Sequence, residues 1–382
     1  MSDDTFAGYG LPAPLQQAIE DLGFERCTPV QSEVLPYSLS DYDITGQAQT
    51  GTGKTAAFLI TILTRHVEDP LERPNPPGTP RALILAPTRE LALQIEADAI
   101  DLSAHLDTTI IAVFGGLDFN RQIDRLRGGE VDILVATPGR LLDFCSRGVI
   151  DLKRVETLVI DEADRMMDIG FIPDVRRIVY QTPHKRHRQT LFFSATFNDD
   201  VMRLAQQWTL DPVHVAIEPE SIAAEAVDQH FWMLSDAEKR DTIVRFVGSH
   251  QPGRTLIFVN RRDAVHNLVR YLKRRGIECE GLAGDIPQRR RLATLNRFKR
   301  GDVGLVVATD VAGRGIHVEG ITHVINFDLP EDAEHYVHRI GRTGRAGATG
   351  TSISFVSQGD AFNLPAIEEF LGHAVECTLP DL

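Results

Sequence analysis

Thr157-Leu158-Val159-Ile160-Asp161-Glu162-Ala163-Asp164 is a short apolar run that ends abruptly on carboxylates. A run this short, with no polar alternation, suits a strand buried on both faces, as in a parallel sheet. Comparable runs recur on either side of it. They are Ala82–Ala86, Ile110–Phe114, Asp132–Ala136 and Thr190–Ser194 in the first half, and Thr255–Asn260, Gly304–Thr309 and His323–Phe327 in the second. Segments of helical periodicity separate them. The alternation predicts an α/β fold with a doubly wound parallel sheet in each half, and such sheets take ligands at the carboxyl ends of their strands.

The length agrees with two domains. A chain of 382 residues, 42% hydrophobic and 25% charged, can bury two cores of about 150–200 residues each. Ile217-Glu218-Pro219-Glu220-Ser221 is polar, carries a proline and has no periodicity, so it reads as a linker. The expected division is residues 1–215, a linker over 216–228, and residues 229–382. A polar, proline-rich stretch from Glu72 to Pro80 reads as a surface loop within the first domain. No run approaches the roughly 18 apolar residues of a membrane helix. The start, Met1-Ser2-Asp3-Asp4, is neither basic nor apolar, so the cytoplasm is the expected location, away from any membrane. Cys27, Cys145, Cys279 and Cys377 are far apart and form no CxxC pair, which favours reduced thiols over a zinc site or a disulfide framework.

The net charge of −14 excludes a protein that holds nucleic acid by bulk attraction alone. The charge is uneven: residues 1–215 carry 20 Lys and Arg against 31 Asp and Glu, and residues 216–382 carry 20 against 23. Arg289, Arg290, Arg291, Arg297, Lys299 and Arg300 crowd one stretch of the second half. Such a run is most often a solvated face, so it needs support from other features.

Chemistry enters at Ala48-Gln49-Thr50-Gly51-Thr52-Gly53-Lys54-Thr55, which follows a strand start at Asp43–Thr45 and leads into a helix-like Ala56–Leu63. Glycines let the backbone wrap a phosphate, amides at a helix start supply donors, Lys54 reaches the terminal phosphates and the Thr55 hydroxyl can ligate Mg²⁺. The general phosphate-loop pattern has Gly where this chain has Ala48. A nucleotide hydrolase also needs a carboxylate on the metal and another for the attacking water. Asp161 and Glu162 fit those roles, each weighed against a plain acidic helix start.

Asp161-Glu162-Ala163-Asp164 resembles the signature of the DEAD-box RNA helicases, and other motifs of that family follow in order along nearly the whole chain. The resemblance implies two RecA-like domains. Gly23-Phe24 with Thr28-Pro29-Val30-Gln31 is similar to the family's adenine-recognising Q motif, with Phe6 as its upstream aromatic. It implies ATP held by Phe6, Arg26 and Gln31 together with Gln49, Thr50, Gly51, Thr52, Gly53, Lys54 and Thr55, and Mg²⁺ held through ATP by Thr55 and Asp161. Pro87-Thr88-Arg89, Gly115-Gly116 and Thr137-Pro138-Gly139-Arg140 resemble segments that hold the RNA backbone. Ser194-Ala195-Thr196 resembles the motif that couples hydrolysis to strand separation.

In the second half, Gly284-Asp285-Ile286-Pro287-Gln288-Arg289-Arg290-Arg291 resembles the family's GDxxQxxR element, which puts Arg291 near RNA. Residues 308–317 resemble motif V and imply that Thr309 contacts RNA, Asp310 couples and Gly315 lies at the nucleotide. His338-Arg339-Ile340-Gly341-Arg342-Thr343-Gly344-Arg345 resembles motif VI, implying coupling through His338 and catalysis by Arg342 and Arg345 at the γ-phosphate on domain closure. Motif V usually ends in Asp, whereas this chain has His317, whose imidazole accepts a ribose hydrogen bond only when neutral.

The Gly-Ile-His ending, Arg165–Ile172 and Asn363–Glu368 are similar to the RhlB branch of the family. That likeness implies a monomer acting in messenger RNA degradation, docked on RNase E in the RNA degradosome. Two rivals carry their own marks. A DNA helicase of the same superfamily would share the phosphate loop and arginine pair, but Gln31 with Thr28-Pro29 and the complete Asp-Glu-Ala-Asp favour RNA. An ATP-gated RNA-binding scaffold with little turnover would be expected to lack Lys54, Glu162 or the arginines, and all are present.

Overall fold

Ile44–Gln47 (β1), Ala82–Leu85 (β2), Ile110–Val113 (β3), Ile133–Ala136 (β4), Thr157–Ile160 (β5), Gln189–Ser194 (β6) and Val213–Ala216 (β7) form one parallel sheet in the computed structural model. Their order is β3-β4-β2-β5-β6-β1-β7. Strands β2 to β6 are buried at every position, as unbroken apolar runs require when helices cover both faces. Alternate side chains of one strand serve different cores. Ile84 of β2 joins Phe58, Ile62 and Ile95 on one face, while Leu83 and Leu85 join Leu141, Phe144 and Phe192 on the other.

The structure describes residues 4–48, 51–217, 227–313, 318, 320–344 and 349–380. Gln49, Thr50, Gly315, His317, Arg345 and most of the expected linker lie outside these residues. Contacts divide the chain into Met1–Pro219 and Glu220–Leu382.

The second unit holds Val227–Met233 (β8), Arg254–Phe258 (β9), Glu280–Leu282 (β10), Leu305–Ala308 (β11), Ile321–Asn326 (β12), Gly350–Val356 (β13) and Cys377–Thr378 (β14). Its order, β10-β11-β9-β12-β13-β8-β14, is the first order with every number raised by seven. The same winding is therefore built twice in a chain that shows no short-period repeat.

Strands β1, β7, β8, β10, β13 and β14 lack the apolar signature of the others. Val227-Asp228-Gln229-His230-Phe231-Trp232-Met233 and the two-residue β14 lie toward a sheet edge, where polar side chains are tolerated. The Glu72–Pro80 stretch is only half a surface loop. Its second part is anchored: Asn75 accepts from Arg154 at 3.0 Å, and the Gly78 carbonyl accepts from Asp151 N–H at 3.0 Å. All four cysteines are free, and burial pushes the Cys27 and Cys279 thiols up to about 11, so they stay protonated.

Candidate active site and nucleic-acid interface

The strand order sorts the motifs of the first unit. Strands β5, β6 and β1 are neighbours, with Phe192 beside Ile160 and Ser194 beside Gln47. Their carboxyl ends deliver Asp161–Asp164, Ser194–Thr196 and the phosphate loop to one place. Strands β2, β3 and β4 are also neighbours and end in Pro87–Arg89, Gly115-Gly116 and Thr137–Arg140. The nucleotide motifs occupy one half of the sheet and the RNA-like motifs the other.

Lys54 opens the Lys54–Glu68 helix and is buried. Its Nζ donates to the Ala48 carbonyl at 2.7 Å and lies 3.8 Å from Asp161 Oδ1. Gly53 takes φ +95°, and a Cβ there would sit 2.7 Å from Gln31 Nε2 and 2.8 Å from Thr28 Oγ1. Only glycine fits. Gln31, 4% exposed, accepts from Thr28 N–H at 2.8 Å and donates to the Gly53 carbonyl at 3.2 Å. Each end of its amide keeps one further hydrogen-bonding position. The Thr28 hydroxyl beside it is buried and forms a capping box with Gln31 at the start of the Pro29–Ser38 helix. Phe6 is buried near Phe24, at 6.4 Å between ring centroids, and with Gln16, Ile19 and Glu20 it lines a cavity of about 400 Å³. Arg26 is exposed, as is Gly51, while Thr52 and Thr55 are half-buried.

Asp161 accepts from Glu162 N–H at 2.9 Å. Burial pushes its carboxyl up to about 6 against the opposing pull of Lys54. Glu162 adopts φ +50°, a left-handed conformation costly for a residue with a Cβ. Its carboxylate is held 2.9 Å from Arg165 Nη1, both side chains being buried. Asp164 ties this loop to β6. Its Oδ2 accepts from Ala195 N–H at 3.2 Å, Thr196 N–H at 3.1 Å and the Thr196 hydroxyl at 3.3 Å, and its own N–H donates to Ser194 Oγ at 3.2 Å.

On the other half of the sheet, Thr88 caps the Arg89–Leu102 helix by accepting from Leu91 N–H at 3.3 Å. Gly116 takes φ +85°, and a Cβ there would meet Arg89 Nη1 at 2.2 Å, so two separate motifs meet at this contact. Arg140 lies 5.4 Å from the Phe119 ring centroid and 5.5 Å from that of Phe144. Its Nη1 is buried without a hydrogen-bond partner among the described residues. Burial lowers its pKa, and the charge of Arg89 acts in the same direction. Asp143 opposes both effects, and a further negative group would relieve them. Thr137 is buried at the start of the Pro138–Ser146 helix, while Gly139 faces open space.

In the second unit Thr309 is buried just beyond β11. Asp310 accepts from Arg339 Nε and Nη2, both at 2.6 Å. Arg339, 1% exposed, also donates to Asn260 Oδ1 and to the Asp328 carbonyl, each at 2.7 Å, so it anchors three strand ends. His338 presents its carbonyl to Arg342 Nε at 3.2 Å, and Arg342 is buried. Arg291 Nη2 donates to the Ala312 carbonyl at 3.1 Å, which joins the Gln288–Arg300 helix to the segment after β11. Asp164, Arg165 and Arg339 escaped the sequence reading as site residues. Each sat within a quoted motif, but only the fold shows the partner.

A family of DEAD/DEAH box helicases matches residues 28–204, and a helicase conserved C-terminal domain matches residues 238–347. The ATP-dependent RNA helicase RhlB of Pseudomonas aeruginosa is 52% identical over 375 residues, covering 98% of this chain and 94% of that one. The chain belongs to the DEAD-box ATP-dependent RNA helicases. The RhlB of Xanthomonas axonopodis pv. citri is 45% identical, over 97% of this chain and 65% of its own length. Among solved structures, S. cerevisiae Dbp5 bound to RNA and ADP BeF3 is similar at a TM-score of 0.85 and 31% identity, covering 98% of this chain and 95% of that one. Mss116p bound to single-stranded RNA and AMP-PNP is similar at 0.86 and 28% identity, covering 97% and 77%. The fold is accordingly that of two RecA-like domains, and the DEAD-box helicase is an ATP-dependent enzyme acting on RNA.

Proposed function

We propose that ATP hydrolysis is carried by Lys54, Asp161 and Glu162, with Arg342 and Arg345 of the second unit completing the site at the γ-phosphate. The observation that carries this reading is the meeting of Lys54 and Asp161 from two separate strand ends, 3.8 Å apart and both buried. Lys54 supplies charge to the phosphates, and Glu162 takes the proton of the attacking water while Arg165 holds its carboxylate in place. The loop fits a nucleotide. Gly53 leaves no room for a side chain, and the amide of Gln31 keeps one donor and one acceptor position for a base edge.

Mg²⁺ fits the donor chemistry, because Asp161 and the Thr55 hydroxyl are hard oxygen ligands. Burial raises the pKa of the Asp161 carboxyl, the nearby charges of Glu162 and Asp164 add to the effect, and Lys54 opposes it, so a cation there would stabilise the ionised form. No group of three or more His, Cys, Asp or Glu among the described residues could hold a metal by itself, so the nucleotide would have to supply the remaining oxygens. When bound, the ion neutralises charge on the β- and γ-phosphates.

Thr88, Arg89, Gly116, Thr137, Gly139 and Arg140 would hold the RNA backbone in the first unit, and Arg291 and Thr309 in the second. Support comes from the orphaned Nη1 of Arg140 and from the convergence of three strand ends. Asp164 with Ser194 and Thr196, and Asp310 with Arg339, would couple the two ligands. By its likeness to proteins called RhlB, the chain would work in the cytoplasm as a monomer in messenger RNA decay, docked on RNase E. No described helix is long and apolar enough to cross a membrane.

The test is paired substitution. Glu162→Gln should bind a fluorescent ATP analogue like the parent and not hydrolyse ATP, whereas Lys54→Ala should lose both. Hydrolysis by Glu162→Gln within a few-fold of the parent would reject Glu162 as the base.

A further inference from the structure

The cations of the second unit are concentrated on two helices. Arg262–Arg274 and Gln288–Arg300 together hold ten Lys and Arg residues and one acidic residue, Asp263, in a chain whose net charge is −14. Between these helices, at the edge strand β10, lies an open cleft of about 560 Å³. Arg270, Lys273 and Arg274 wall it on one side, and Arg290 and Thr294 on the other.

The acidic groups nearest the cleft are already engaged. Glu280 accepts from Thr294 and Arg297, and Asp285 pairs with His266 at 2.8 Å. Arg270, Lys273, Arg274 and Arg290 form no ion pair with a described residue, unlike Arg275, Arg297 and Arg300 on the same helices and their flanks. Uncompensated like charges in one cleft repel one another and focus a positive potential, which favours an anionic occupant.

The spacing indicates which anion. Arg270, Lys273 and Arg274 stand at i, i+3 and i+4, on one face of their helix, with His266 a turn earlier. At about 1.5 Å per residue the stripe from 266 to 274 is about 12 Å long, which spans roughly four phosphates of a strand rising about 3.4 Å per nucleotide. Arg290 immediately precedes Arg291, the residue placed at RNA above. Among the described residues, Val269 and Ile286 are the only large apolar side chains in the cleft, the rest of its apolar lining being mainly aliphatic stems of charged residues, and no Phe, Tyr or Trp ring lines it, whereas a docked protein segment draws its affinity from buried apolar or aromatic anchors.

We infer that this cleft is a second, sequence-independent RNA site, which holds the phosphates of single-stranded RNA continuing past Arg291. The inference rests on the proposed RNA path at Arg291, and the experiment separates the two.

Binding of labelled single-stranded RNAs of about 8 and about 24 nucleotides would be measured by anisotropy across a salt series, with the full chain and with Arg270→Gln/Lys273→Gln/Arg274→Gln. The short RNA should bind within twofold of the parent. The long RNA should bind about tenfold more weakly at low salt, and the slope of log K against log salt should fall by about 2, at about 0.7 per lost phosphate contact. An unchanged affinity and slope for the long RNA would overturn the inference. So would a labelled polyglutamate peptide that binds the parent and is lost in the variant while the long RNA is unaffected. If Arg291→Gln leaves the short RNA unchanged while the triple variant still weakens the long one, the Arg291 path fails and the cleft stands. Should the triple variant lose the parent's circular dichroism, Arg270→Gln/Arg274→Gln carries the same expectation at a slope change of about 1.4.

Discussion

At Gly116, one missing methyl group decides whether two motifs can meet. A Cβ there would press on Arg89 at 2.2 Å, in a backbone conformation that itself disfavours a side chain. Gly116→Ala should therefore displace the Arg89 guanidinium. RNA affinity should fall by the worth of a charged hydrogen bond, about 1.5–3 kcal/mol, while ATP affinity in the absence of RNA stays unchanged. Anisotropy with a short RNA checks this, and parental affinity would detach Arg89 from RNA. Gln31 supports a second prediction at this scale. Its amide has one donor and one acceptor position left after bonding Thr28 and Gly53, which matches the N6 donor and N7 acceptor of adenine. Guanine would leave a buried polar atom unpaired at a cost of about 1–3 kcal/mol, so kcat/KM should favour ATP over GTP. Equal values for the two nucleotides would remove Gln31 as the base reader. The identities of these residues were legible in the sequence because their motifs are short and contiguous. Their internal bonds were not: Arg89 and Gly116, or Asp164 and Thr196, are joined by strand order, which no local pattern encodes.

Among the elements, the buried strands were the most legible, because a parallel strand covered on both faces must be apolar throughout. Strands at or next to a sheet edge answer to a weaker constraint, which is why β14 and its neighbour β8 mix polar and apolar residues and carry no clear apolar signature. The last turn of the Lys54–Glu68 helix shows a constraint of another kind. His66 has both ring nitrogens buried without a partner among the described residues, and burial pushes its pKa down to about 3, with Arg81 and Arg65 adding to the effect. In the unfolded chain the same imidazole gains a proton below about 6.5. The unfolded state thus binds more protons between about pH 6.5 and 3, and the folded state loses stability as pH falls through that window. His66→Leu should flatten this loss by about 2 kcal/mol between pH 7.5 and pH 5, read as the difference between denaturant midpoints of parent and variant. Identical pH dependence in the two proteins would mean that His66 is protonated in the fold.

For the molecule as a whole, one strand order is used twice and loaded differently. In the first unit it carries the phosphate loop, Asp161 and Glu162; in the second it carries Asp310, Arg339 and Arg342. The two halves were legible as separate sheets, but their common winding was not, because topology is conserved by packing and not by residue identity. If each unit supplies part of one catalytic site, ATP and RNA should favour each other's binding by about 1–3 kcal/mol. The most direct measurement is steady-state ATP turnover by the intact chain with and without saturating single-stranded RNA, for the parent and for Arg342→Ala. RNA should raise kcat in the parent, and Arg342→Ala should lower the RNA-stimulated kcat by about 10³–10⁵ while leaving ATP affinity without RNA unchanged. Turnover by Arg342→Ala at the parental rate would contradict the account.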